Sequence, residues 1–270
     1  MKRYRHIIIG NSAGGLAAAR EIRAIERSSD LLILSEEPYQ AYSRPLIAKH
    51  LSHGKTIEAM TLVPREFYEQ DGIKWWPETC AVRVDPQDRT VYLQDGDAAK
   101  WDNLLLATGS APIVPPIDGV NRTGVYTFTT YDDARAIAQH LPHVHHVAVI
   151  GGGFIGLSAA DALRHRGIDV TIVELQPRLL SAMLDEEGST RIETAVRSSG
   201  AKVMTGRRVV SINGSHPESS SVSSVTLDDR TRLQCEMVIL AVGVKPRTDL
   251  AQGIVSIEQG VLVDEYMRTT

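Results

Sequence analysis

Two clusters of glycine are the residues of this chain best suited to chemistry. Gly10-Asn11-Ser12-Ala13-Gly14-Gly15 and Gly151-Gly152-Gly153-Phe154-Ile155-Gly156 each follow a β-branched run and precede a stretch rich in alanine and leucine. In a turn of this kind the first glycine makes a sharp reversal, the second lets the backbone approach a pyrophosphate, and the third lets a helix pack on a strand. The amino end of that helix offers free N–H groups and a positive dipole end to the phosphates. The second cluster meets G-x-G-x-x-G in full with Gly151, Gly153 and Gly156. The first keeps Gly10 and Gly15 but has Ser12 at the close-approach position, a hydroxymethyl where the phosphate wants bare backbone.

A dinucleotide site also needs an acidic residue at the end of the next strand, to hold a ribose hydroxyl. Asp30-Leu31-Leu32-Ile33-Leu34-Ser35 leads to Glu36 and Glu37, and Ile168-Asp169-Val170-Thr171-Ile172-Val173 leads to Glu174. A lone glycine cluster is as often a plain structural turn. Glycines, helix and acidic strand end together, found twice, imply two dinucleotide sites.

The elements that must position these residues follow from the same pattern. His6–Ala19 and Val147–Ala160 are copies of one unit, a strand, a tight turn and a helix, with the period switching across the glycines. Between them Gly72 to Gly109 reads as short strands, with turn signals at Asp85-Pro86 and Asp95-Gly96. This stretch closes on a buried strand that ends in the small-residue turn Ala107-Thr108-Gly109, and Pro112, Pro115 and Pro116 form a stiff connector. A similar strand and turn recur over Met237–Pro246, with Gly243 in the turn. The first domain is therefore interrupted by the second, and the chain starts to return near Val242.

Composition narrows the class. Apolar residues make up 43% and charged ones 23%, as in an ordinary globular protein, and the net charge of −4 gives no pull toward nucleic acid or acidic membranes. Cys80 and Cys235 stand far apart and outside any paired motif, so neither a disulfide framework nor a thiolate metal site is expected. The basic start Met1–Arg5 is followed only by His6-Ile7-Ile8-Ile9, too short for a signal-peptide core or a membrane span. The expectation is a reduced, cytoplasmic protein with no nucleic-acid or membrane partner. His140, His143, His145 and His146 lack the carboxylate or thiolate partners of a zinc site and read as solvated loop residues, so no metal is expected. The serine-rich run 215–224 reads as a mobile loop between strands, and alternation on a strand would bury one of Trp75 and Trp76 and expose the other.

With these residues in view, the chain from His6 to Thr270 resembles the FAD-dependent pyridine nucleotide-disulfide oxidoreductase family. The segment Pro38-Tyr39-Gln40-Ala41-Tyr42-Ser43-Arg44-Pro45-Leu46-Ile47-Ala48-Lys49 is similar to the branch without a redox disulfide, which includes rubredoxin and ferredoxin reductases, NADH oxidase-like proteins and the flavin module of nitrite reductases. The resemblance implies an α/β fold with two three-layer Rossmann-like dinucleotide-binding domains, the NAD domain inserted into the FAD domain. The expected boundaries are 1–110 for the first part of the FAD domain, 111–241 for the NAD(P)H domain and 242–270 for an incomplete return.

The resemblance further implies FAD at Gly10, Ser12, Ala13, Gly14, Gly15, Glu36, Ala107, Thr108 and Gly109, NAD(H) at Gly151, Gly153, Phe154, Ile155, Gly156 and Glu174, and cofactor contact at Gly243, Arg44 and Lys49. Glu174 has no basic residue directly after it, which favours NADH because a carboxylate repels the 2′-phosphate of NADPH; Arg178 lies slightly further on. Where disulfide reductases of the family carry paired cysteines, this chain has Ser43 and Arg44, so reduction through a cysteine pair is excluded. What remains is hydride transfer from NADH to FAD and onward to an electron-acceptor protein or a small oxidant. Lys49 and Arg44 are the implied catalytic positions beside the flavin. For Lys49 the other reading is a surface helix lysine, strengthened because the glutamate that pairs with it in the family is Ser158 here. For Arg44 it is an ordinary ion pair. Family members continue past the segment resembling Gly260–Thr270 into one ending in Ala-Gly-Asp, whose aspartate holds the ribityl chain. The expectation is thus weak FAD retention by this chain alone, with two further readings: a nucleotide-binding fragment without catalysis of its own, or a protein completed by a second copy or another subunit.

Overall fold

The computed structural model describes residues 1–69, 72–216 and 218–270. The chain divides into two compact units: unit 1 comprises Met1–Ser43, Ile57–Ala111 and Pro246–Thr270, and unit 2 comprises Arg44–Thr56 and Pro112–Lys245.

In chain order the elements are β1 (Lys2–Ile9), α1 (Ala13–Ile25), β2 (Leu31–Leu34), α2 (Ile47–His53), β3 (Ile73–Trp76), β4 (Ala81–Asp85), β5 (Thr90–Leu93) and β6 (Ala98–Leu106). Unit 1 is built on a sheet of order β3-β2-β1-β6-β5-β4, parallel from β3 to β6 and antiparallel through β5 and β4. β2 and the end of β1, Ile7 to Ile9, are continuous apolar runs because both of their faces are covered. Ile7, Ile9, Leu32 and Leu34 pack with Val84, Val91 and Trp101, while Ile8, Leu31 and Ile33 pack with Leu16 and Ala19 of α1 on the other face. The two tryptophans of β3 follow the same rule. Trp76 meets Tyr4 edge-on at 6.0 Å and Trp75 lies against Tyr68 at 4.6 Å, so neither is left exposed as alternation alone suggests.

The chain continues through β7 (Ser110–Pro112), β8 (Val125–Thr127), α3 (Tyr131–His140), β9 (His146–Ile150), α4 (Phe154–His165), β10 (Asp169–Val173), α5 (Glu186–Ser198) and β11 (Lys202–Met204). It ends with β12 (Val209–Asn213), β13 (Ser224–Leu227), β14 (Arg232–Gln234), β15 (Met237–Leu240) and β16 (Val244–Pro246). Unit 2 carries a parallel sheet of order β11-β10-β9-β15-β8 and a separate antiparallel sheet, β12-β13-β14. The second sheet seals one face of the first: Val209, Ile212, Val225 and Leu227 pack with Ala148, Ile150, Val173, Val238 and Leu240.

Three details depart from the sequence reading. Arg44–Thr56 belongs to unit 2 rather than to the first domain, because α2 packs on α3 and α4. The return to unit 1 comes at Pro246 rather than Val242, since β15 is an interior strand of the unit 2 sheet. The segment from Gly260, which resembles a strand of the family, instead forms turns around an isolated Ile257–Val261 bridge. The serine-rich run is pinned at its centre, where Thr123 N–H donates to Ser220 O and Val222 N–H to Thr123 O; position 217 lies outside the described residues.

Candidate dinucleotide sites

Each glycine cluster begins where a parallel ladder runs out. Gly10 N–H donates to Leu34 O at 2.9 Å, and Ala107 N–H donates to Ile9 O at 2.8 Å. In unit 2, Gly151 N–H donates to Val173 O at 2.9 Å and Ala241 N–H to Ile150 O at 2.8 Å. Gly10 then turns at φ +119° and Gly151 at φ +114°, conformations that L side chains rarely adopt. A Cβ on Gly10 would stand 2.1 Å from Ala107 O, and one on Gly151 would stand 2.3 Å from Ala241 O. A Cβ on Gly15 would stand 1.9 Å from Gly10 O, and one on Gly156 would stand 2.0 Å from Gly151 O. First and third glycines thus do the same two jobs in both copies. Gly109 at φ +67° and Gly243 at φ +126° shape the turns that follow β6 and β15.

The helices behind the turns leave their first N–H groups uncovered. α1 starts from Ser12 and α4 from Gly153; neither cap residue makes a side-chain capping bond, and neither first turn carries an acidic residue. By contrast α3 is closed by a Thr130/Asp133 capping box and α5 by the Asp185 carboxylate. A Cβ on Gly14 or Gly153 would meet nothing within 4 Å, and Phe154 is 61% exposed. Ala13 is exposed and Ile155 half-buried beside these open positions. Uncapped N–H groups at a dipole's positive end, over open space, fit an anionic pyrophosphate. In unit 1 the turn is braced from behind: Tyr68 OH donates to Asn11 Oδ1 and accepts from Ala41 N–H, and Asn11 Nδ2 is buried with no partner among the described residues.

The acidic strand ends are held differently. Glu174 turns back on its own loop, with Oε2 accepting from Gly152 N–H at 2.5 Å and Oε1 from Gln176 N–H at 2.7 Å. Gly152 is a site residue that the spacing rule passes over. A Cβ there would stand 2.5 Å from Leu179 Cδ2 and 3.1 Å from Glu174 Oε2, and the signal was its place in the middle of three consecutive glycines. Glu36 has no such backbone bond among the described residues; its Oε2 is 2.6 Å from Arg247 Nη1. Arg247 is itself clipped to the turn after β6, where its N–H donates to Gly109 O and its carbonyl accepts from Thr108 Oγ1. Nothing local in the sequence points to Arg247, which is brought to Glu36 by the return of the chain.

The two implied catalytic positions both fall in unit 2. Lys49 is exposed on α2 and makes no hydrogen bond or ion pair with its ammonium among the described residues; Ser158 is exposed on α4. Arg44 is half-buried and donates to Thr129 O at 2.9 Å. Neither cysteine is a ready thiolate. Burial pushes Cys80 up, with Glu36 adding to the rise and Arg247 opposing it, and burial with Glu236 pushes Cys235 up to about 12. Of the histidines, His140 pairs with the Tyr126 hydroxyl, and the backbone N–H groups of His145 and His146 donate to Glu236. Among the described residues no helix is long and apolar enough to cross a membrane.

Fold and turns together define an α/β protein with two Rossmann-like dinucleotide-binding domains, one inserted into the other. The family model for pyridine nucleotide-disulphide oxidoreductases matches residues 4–270, and the chain belongs to that family. It is 28% identical to the assimilatory nitrate reductase electron transfer subunit of Bacillus subtilis, covering 100% of this chain and 35% of the relative. It is 31% identical to the epsilon subunit of the NADH-dependent phenylglyoxylate dehydrogenase of Aromatoleum evansii, covering 98% and 62%. A ferredoxin reductase from Rhodopseudomonas palustris superposes with a TM-score of 0.92 at 27% identity, covering 98% of this chain and 65% of that one. The chain thus spans less than two thirds of the length of each.

Proposed function

We propose that this chain is an FAD-dependent NAD(P)H oxidoreductase, or the part of one that binds both nucleotides, with FAD in unit 1 and NADH in unit 2. The observation that carries the reading is the duplicated turn. Gly10/Gly15 and Gly151/Gly156 make the same close backbone approaches in two separate sheets, each under an uncapped helix and beside a glutamate. The relatives' names supply the electron-transfer context: a nitrate reductase electron transfer subunit, a subunit of an NADH-dependent dehydrogenase and a ferredoxin reductase.

When bound, NADH supplies a hydride and FAD accepts it and releases electrons singly or in pairs. The chain's own residues bind and orient. The N–H groups at the starts of α1 and α4 hold the pyrophosphates, Glu36 and Glu174 hold ribose hydroxyls, and Ala13, Gly14, Phe154 and Ile155 line the open sides of the turns. Ala107, Thr108, Gly109 and Gly243 bring the neighbouring strand ends close to the same turns. Glu174 disfavours a 2′-phosphate, so NADH is the preferred donor. Lys49 and Arg44, in unit 2, are the basic residues that the family resemblance alone associates with the flavin. With both thiols pushed up and no cysteine at Ser43 or Arg44, electrons leave to an external acceptor, a small redox protein or simple oxidant. The test is to load the purified chain with FAD and record its visible spectrum before and after NADH under anaerobic conditions. Flavin bands that bleach support the reading. A chain that binds NADH but leaves added FAD oxidised would instead be a nucleotide-binding subunit.

A further inference from the structure

The two copies of the strand-end glutamate do one job by different means. In unit 2 the loop's own backbone aims the carboxylate: Gly152 N–H and Gln176 N–H each take one oxygen of Glu174. In unit 1 Glu36 lacks those bonds among the described residues, and its side chain, 61% exposed, would sweep freely from the end of β2 were it not held at 2.6 Å by Arg247. Arg247 is well placed to hold it. Its N–H and carbonyl are both bonded to the Thr108–Gly109 turn, so the guanidinium extends from a fixed backbone. Only Glu36 Oε2 is engaged, which leaves Oε1 open to accept from a ligand hydroxyl.

We propose that Arg247 is a positioning residue for the adenosine end of the dinucleotide site in unit 1, aiming the Glu36 carboxylate at the ribose. This rests on the reading of unit 1 as the FAD site. An exposed ion pair adds little to folding stability, so the pair can be broken without unfolding the unit. Its effect on binding is larger, because a carboxylate fixed beforehand loses less freedom when the ribose arrives.

The experiment titrates the full 270-residue chain with FAD, AMP and FMN, in wild type, Arg247→Ala, Arg247→Lys, Glu36→Gln and the Arg247→Ala/Glu36→Gln double variant. Arg247→Ala is expected to weaken FAD and AMP alike by about ten-fold, the size of one lost charge-assisted hydrogen bond, while FMN, which has no adenosine, is unaffected. Arg247→Lys should recover part of the loss, the double variant should bind no worse than Glu36→Gln, and the melting temperature of Arg247→Ala should stay at the wild-type value. Unchanged AMP binding in Arg247→Ala, or losses in the double variant that add, would overturn the proposal alone. A wild-type chain that binds NADH but no FAD would overturn the FAD reading and this proposal with it.

Discussion

At the scale of single residues, the site is a set of places where a side chain is forbidden beside places where one is merely absent. Gly14 and Gly15 are neighbours, yet a Cβ on Gly14 meets open space while one on Gly15 lands 1.9 Å from Gly10 O. Gly14→Ala should therefore leave the fold intact and raise its stability by up to about 1 kcal/mol through helix propensity. Gly15→Ala should destabilise by about 3 kcal/mol or more, since backbone has to move. Thermal melts of the two variants separate the cases, and equal melting points would contradict the packing described. In the proposed function, nucleotide choice turns on Glu174. Glu174→Ala should weaken NADH by roughly ten- to hundred-fold and relax discrimination against NADPH, because a charged acceptor is lost from the ribose and from two loop N–H groups. Titrations that show unchanged affinity for both nucleotides would mean that the carboxylate serves its loop and does not meet the ribose. These positions were legible in the sequence because the constraint is local: glycine spacing, a helix start and a strand end all lie within one short stretch of chain. Gly152 was passed over for the opposite reason. Its need for glycine comes from Leu179 and Glu174 folding back on it, which no spacing rule encodes.

At the scale of elements, both strand-turn-helix copies were legible, and the placement of α2 was not. Period and turn residues mark α2 as a helix near the first copy, but its partners α3 and α4 lie far along the chain, so its allegiance is decided by packing. Arg44 is part of that allegiance through Thr129 O. Arg44→Ala should lower the stability of unit 2 by about 1 kcal/mol, the net worth of a typical hydrogen bond, and the melting transition of unit 2 reports it. The start of β15 is tied to the start of β9 by Glu236. Burial works to raise the Glu236 carboxyl, but N–H bonds from His146 and His145 outweigh it and hold the group below the usual carboxylate range. A carboxyl depressed in the folded state stabilises the fold above its unfolded value and loses that contribution as pH falls through the folded one. Glu236→Gln should thus melt below wild type at neutral pH, with the gap closing as pH falls through and below the ordinary carboxylate range. A gap that is constant with pH would show that the charge contributes nothing.

At the scale of the whole molecule, two sheets carry one turn design, and after the short excursion of Arg44–Thr56 the chain leaves unit 1 again after Ala111 and rejoins it at Pro246. The insertion was legible from the repeat and the proline-rich connector, whereas the contact that the return creates, Arg247 on Glu36, was not, since it joins residues from opposite ends of the chain. In the proposed function these two turns serve one reaction, hydride from NADH to FAD. The most direct test is anaerobic addition of NADH to the purified chain with added FAD, followed in the visible spectrum, with Gly10→Ala and Gly151→Ala as controls for each turn. The flavin bands are expected to bleach with the wild-type chain and to persist with either variant. Flavin bands left unchanged by NADH in the presence of the wild-type chain would contradict the proposed function.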